Sequence, residues 1–124
     1  MAPKTSALLI GIVFLAVGIL GFVGNPLVGE NAIFHTDTLH NYVHIGSGVL
    51  FLIAAMAGQS AARTFLILFG LVYLALGVIG LMTIGSADMV KVLGILHVNA
   101  NDNYLHLGLG VIILLLGLTS GRAV

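Results

Sequence analysis

Four stretches of this chain are almost free of charge and are long enough, or nearly long enough, to cross a lipid bilayer. A membrane-crossing helix needs about 20 mostly apolar residues, because each residue rises about 1.5 Å and the hydrocarbon core is about 30 Å thick. The stretches are Thr5 to Val23, about Asn41 to Ala57, Thr64 to Ile84, and a shorter one from about Asn103 to Thr119. Hydrophobic residues make up 60 % of the 124, and charged residues only 6 %. A soluble domain usually carries about 25 % charged residues, so this composition places the chain in a membrane. The net charge of zero leaves no basic footprint for nucleic acid. The high hydrophobicity excludes intrinsic disorder. Without cysteine there is no disulfide framework, thiolate metal site or cysteine nucleophile.

A cleaved signal peptide is the competing reading of the first stretch, since Met1-Ala2-Pro3-Lys4 is a weak basic start. The apolar run is longer than a signal core and no small-x-small cleavage site follows cleanly, so a retained span is expected. Charges then sort by side. Lys4, Arg63 and Arg122 fall at the N-terminus, the short link 58–63 and the C-terminus, whereas Glu30, Asp37, Asp88 and Asp102 fall in the two long connections with Lys91. Basic residues are retained inside, so both termini are expected in the cytoplasm.

The chain also repeats itself. Gly11-Ile-Val-Phe-Leu-Ala-Val-Gly-Ile-Leu-Gly21 matches Gly70-Leu-Val-Tyr-Leu-Ala-Leu-Gly-Val-Ile-Gly80, an offset of 59 residues. Asn41-Tyr-Val-His-Ile-Gly-Ser-Gly-Val49 matches Asn103-Tyr-Leu-His-Leu-Gly-Leu-Gly-Val111, an offset of 62. Each copy holds two spans (repeat one about 6–57, repeat two about 64–119). The expected architecture is a single all-α domain, a four-helix transmembrane bundle of two tandem hairpins in the same orientation. Inverted repeats, which suit many alternating-access transporters, would need an odd number of spans per copy. Gly11 and Gly18, like Gly70 and Gly77, share one helix face and let backbones approach closely.

All five histidines, His35, His40, His44, His97 and His106, lie in or beside the two long connections. At about 100° per residue, Asn41, His44 and Gly48 share a face of the second span, and Asn103, His106 and Gly110 share the equivalent face of the fourth. Tyr42 and Tyr104 point elsewhere at interfacial depth. Asp37 or Thr38 can cap the second span, and Asn101 or Asp102 the fourth. If the two copies meet about an axis along the membrane normal, His44 and His106 face each other across it.

Three readings of this cluster compete. His and Asn can serve as hydrogen-bonding glue between helices, with Asn41, Asn103, Tyr42 and Tyr104 as a structural polar cluster and no ligand. His44 and His106 can instead bind a cofactor, as axial ligands of a haem or another pigment, although Lys91 is the only basic residue on that side to meet propionates. A divalent metal can be held by His40 and His44 at i, i+4, with His106, Asp102 or His97 completing the set. The glutamate that a zinc protease needs in such a motif is missing.

His40-Asn41-x-x-His44-x-x-x-Gly48 and Asp102-Asn103-x-x-His106-x-x-x-Gly110, each opening an apolar helix, resemble the small bacterial membrane proteins grouped as domain-of-unknown-function family 4383. The resemblance runs from about Ile10 to Leu118 and includes Ile33-Phe34-His35 and Ile95-Leu96-His97-Val98-Asn99. It implies a multi-pass bacterial inner-membrane protein and brings no activity. No Ser/His/Asp arrangement, in-membrane carboxylate pair or phosphate-cradling loop is found, so no enzyme is expected. Spans one and three carry no charged side chain to line a transport path. The expected role is a non-catalytic accessory or scaffold subunit whose partners are the bilayer and other membrane proteins or copies of itself. The alternative is a haem-, pigment- or metal-binding membrane protein.

Overall fold

A computed structural model describes residues 2–84, 89–92 and 96–120. Asp88, Ile95 and Arg122, which entered the reading of charge and loop pattern, lie outside them. Four helices dominate: α1 (Pro3–Leu20), α2 (Thr38–Ala57), α3 (Gln59–Ile84) and α4 (Ala100–Thr119). All four are long and apolar enough to span a bilayer. The connections at the other end hold short strands that the apolar periodicity does not signal. β1 (Val28–Gly29) pairs in parallel with β2 (Phe34–His35), and β3 (Met89–Val92) pairs antiparallel with β4 (Leu96–Asn99).

Helix boundaries differ from expectation where local chemistry overrides hydropathy. The link 58–63 contracts to a single residue: Gly58, at φ 126°, makes the turn, and α3 begins at once with the polar Gln59. Gln59 Oε1 in turn accepts the Lys4 backbone N–H at 2.9 Å. As expected, Asp37 caps α2, accepting the His40 N–H at 2.9 Å. For α4 the cap lies two or three residues earlier than the reading of Asn101 or Asp102. Asn99 accepts the Asp102 N–H at 2.8 Å while the Asp102 carboxylate accepts the Asn99 N–H at 2.9 Å, a reciprocal capping box. Asn99 stands 62 residues after Asp37, so the repeat offset itself pointed to it. At the far end, Arg63 Nε donates to the Gly117 carbonyl at 3.0 Å, placing a cation on the last turn of α4.

α1 packs along α2, and α3 along α4. Both hairpins rest on the same close approaches. Gly11 meets Gly48 in the first, and Gly70 meets Gly110 in the second. Gly18 lies on Ile45 and Gly77 on Leu107. The Asn41 amide fills the space where a Gly21 side chain would be, as Asn103 does at Gly80. These glycines are needed for distance, since an added Cβ would overlap its neighbour. The hairpins meet through an aromatic seam in which Phe14 and Tyr73, at matching positions, stack with centroids 5.3 Å apart and planes 4° apart. On the α2–α3 side the seam is filled by Phe51, Phe65 and Phe69, with ring centroids 4.7 to 5.2 Å apart.

Candidate functional site

The α1–α4 side, which the same offset relates to α3–α2, is packed differently. Ser6 stands opposite Phe65 in the alignment, Ile10 opposite Phe69, and Ile113 opposite Phe51. Smaller side chains thus occupy the places of three phenyl rings, and α1 and α4 scarcely touch. The result is a cavity of about 280 Å³. Its walls are Ile10, Val13, Phe14 and Val17 of α1 and Leu105 and Leu109 of α4. The first long connection roofs it with Leu27, Val28, Phe34 and Thr36. Val13 and Leu105, half-exposed, form a rim on the face that α1 and α4 present to lipid.

His40, His44, Asp102 and His106 gather at the roofed end. His40 is the middle ring, with its centroid 4.4 Å from His44 and 5.9 Å from His106. His44 and His106, expected to face each other directly, instead line one cavity with His40 between them. The reason is the packing of their helices: α2 and α4 sit at opposite ends of the four-helix array, so each imidazole rests first on its own hairpin partner. His44 lies 5.9 Å from the Phe14 ring and His106 5.3 Å from Tyr73, again at matching positions. His35 and His97 belong to the loops above, with centroids 6.4 Å apart.

The buried polar atoms are not paired as interhelical glue would require. Nδ1 of His40, His44 and His106 and Oγ1 of Thr36 have no hydrogen-bond partner among the described residues, nor do Asn41 Oδ1 and both amide atoms of Asn103. Each such group costs about 1–3 kcal/mol to bury unmet. Four of them belong to residues that line one end of a hydrocarbon-walled space. Asn41 and Asn103 are elsewhere, pressed on the glycines of their hairpins, and Tyr42 and Tyr104 are 60 % and 64 % exposed on the outside of the bundle. The cluster Asn41, Asn103, Tyr42 and Tyr104 is therefore two inward amides and two outward rings. Among the described residues, no three His, Asp or Glu side chains converge closely enough to hold one metal ion. The set His40, His44, His106 and Asp102 shares a cavity without forming such a group.

Above the cavity the two connections are tied together. His97 Nδ1 lies 3.1 Å from Asp37 Oδ2, and Asn99 and Asn101 both donate to the Ile33 carbonyl at 3.1 Å. Burial by itself would raise the Asp37 carboxyl. The His40 N–H and the His97 ring outweigh that and hold it below the usual carboxylate value of 3.8.

Residues 4–119 match the family described as "Domain of unknown function (DUF4383)", and the chain belongs to that family. No curated protein and no solved structure matches it.

Proposed function

We propose that this member of the DUF4383 family is a non-catalytic protein of a bacterial inner membrane that binds a small amphipathic molecule between its first and last helices, as an accessory subunit to other membrane proteins. The observation that carries the reading is the polar end of the α1–α4 cavity: Nδ1 of three buried imidazoles and the Thr36 hydroxyl, without a partner among the described residues, on residues set against walls of hydrocarbon. Ionisable side chains inside a span are costly and point to function by default. The cavity occurs at one of two matching helix interfaces, where Ser6, Ile10 and Ile113 take the places of Phe65, Phe69 and Phe51, and the correspondence of these positions supports a duplicated hairpin. The sorting of Lys4 and Arg63 against Glu30, Asp37 and Asp102 supports cytoplasmic termini.

Haem or another pigment is supported less well. About 280 Å³ lies at the lower edge of small-molecule pockets, which take one ring system more readily than a macrocycle. Among the described residues no Lys or Arg lines the cavity to meet carboxylates. A metal lacks a converged ligand set among the described residues.

The test is purification in mild detergent, followed by an optical spectrum, metal analysis and mass spectrometry of the solvent extract. A colourless preparation carrying one neutral lipid-soluble compound in stoichiometric amount, depleted in His44→Leu and His106→Leu, is the expected result. A haem spectrum or a bound transition metal would replace this reading, and a chain carrying only bulk lipid would end it. A periplasm-only reporter fused after Val124 should stay silent; signal there reverses the orientation.

A further inference from the structure

We infer that the molecule held between α1 and α4 is a neutral membrane quinone or its quinol, with its ring at the histidine end and its tail leaving between Val13 and Leu105. This inference rests on the binding reading above and adds the chemical class.

Charge gives the first restriction. Among the described residues the cavity has no Lys or Arg in its wall, so a phosphate or carboxylate head would lie unpaired in a low-dielectric site. Its one acidic residue among the described residues, Asp102, has a carboxyl oxygen engaged by the Asn99 N–H in the capping box of α4. A cationic head would compete with that cap. The head group that fits is uncharged.

Hydrogen bonding gives the second. A neutral imidazole carries one N–H donor and one lone pair, and which nitrogen holds the proton is set by the partner. Three such rings run in a row, His44, His40 and His106, and the Thr36 hydroxyl can also donate or accept. Moving the ring proton to the other nitrogen turns the nitrogen that meets the ligand from donor to acceptor. The site can therefore donate to a carbonyl oxygen or accept from a hydroxyl at the same place. A quinone offers two carbonyl oxygens across one ring, and its quinol offers two hydroxyls there. Few neutral lipid-soluble heads change from acceptor to donor without changing shape, and this site suits both forms.

Shape gives the third. Phe14 and Phe34 add flat apolar faces beside the imidazoles, which favours a planar conjugated head in offset or edge contact. A space of about 280 Å³ takes a head of that size and not a long chain, so the tail must leave. The exit is set by the packing difference between the two interfaces. Where Phe69 plugs the α2–α3 side, Ile10 leaves the α1–α4 side open toward the bilayer. The roof, including buried Val28, separates the head from water.

The experiment uses the full chain in phosphatidylcholine nanodiscs, with a benzoquinone bearing a ten-carbon tail as the probe. Equilibrium binding and the thermal unfolding midpoint are read in parallel. The expected result is saturable binding of one probe per chain with a raised midpoint. Ile10→Phe copies the residue that the fold already accommodates at Phe69, so it should keep the ligand-free midpoint and lose binding. His44→Leu and His106→Leu should each weaken binding by about tenfold, whereas His97→Gln, above the roof, should leave it unchanged. Full-affinity binding to Ile10→Phe overturns the placement. If decanol binds saturably and displaces the quinone at equal concentration, the quinone assignment fails and the cavity's role as an amphipath site stands. If neither probe binds a cooperatively unfolding protein, both fall.

Discussion

At the scale of single residues, the end of the molecule that carries the two long connections is controlled by a few side chains that hold backbone ends. Asp37 does two things at once: it caps α2 through the His40 N–H and takes the His97 ring from the other half of the chain. Because its pKa is held below the ordinary value in the folded protein, its bonds stabilise the fold above pH about 3.9 and are lost as pH falls through the lower folded value. Acid titration followed by circular dichroism should therefore show a loss of stability below about pH 4. Asp37→Asn should remove that component while keeping the cap. Asp37→Ala should cost about 1 kcal/mol at neutral pH, and an unchanged melting midpoint would contradict the role given to this side chain. The α2 cap was legible in the sequence, because an Asp before an apolar run has one common use. The α4 cap lies two or three residues before the expected Asn101 or Asp102, since Asn99, Asn101 and Asp102 offer chemically similar solutions that local sequence does not separate, and the offset from Asp37 together with the reciprocal geometry selects Asn99.

Elements are shaped by where backbones must touch. Gly80 faces the Asn103 amide with no room for a methyl group, whereas a Cβ on Gly46 meets nothing within 4 Å. Gly80→Ala should lower the thermal midpoint sharply, by overpacking of about 1–3 kcal/mol or more. Gly46→Ala should be neutral or slightly stabilising, because alanine is the better helix former by up to about 1 kcal/mol. Comparable midpoints for the two variants would refute the hairpin packing. The stripe Gly11, Gly18, Gly70, Gly77 could be read from spacing alone, since positions seven apart fall on one helix face. The short strands could not. Val28–Gly29 and Phe34–His35 pair over two residues each, too short for any alternation of apolar and polar residues to register.

For the molecule as a whole, the aromatic seam decides how the two hairpins associate. Phe14 is buried and touches His44 and Phe51 of its own hairpin and Phe69 and Tyr73 of the other. Phe14→Ala should cost about 3–5 kcal/mol, as for other large buried rings. Phe22→Ala, half-exposed at the end of α1, should cost far less. Thermal unfolding of the pair in one detergent checks this, and equal losses would mean that the seam does not hold the hairpins together.

The amino-acid sequence by itself determined the medium, the number of crossings, the glycine faces and the placing of the histidines at one end of the bundle. Those properties depend on length, hydropathy and helical period, which are local and survive any arrangement of neighbours. Only the tertiary structure decided that His40 stands between His44 and His106, that Nδ1 of each lacks a partner among the described residues, and that the α1–α4 interface is open while its counterpart is filled. Those depend on which side chain meets which across a seam, where Phe65 and Phe69 find Phe51 on one side and Ser6 and Ile10 leave space on the other. A difference of ring against branched chain is slight in hydropathy, and large in the volume it leaves behind.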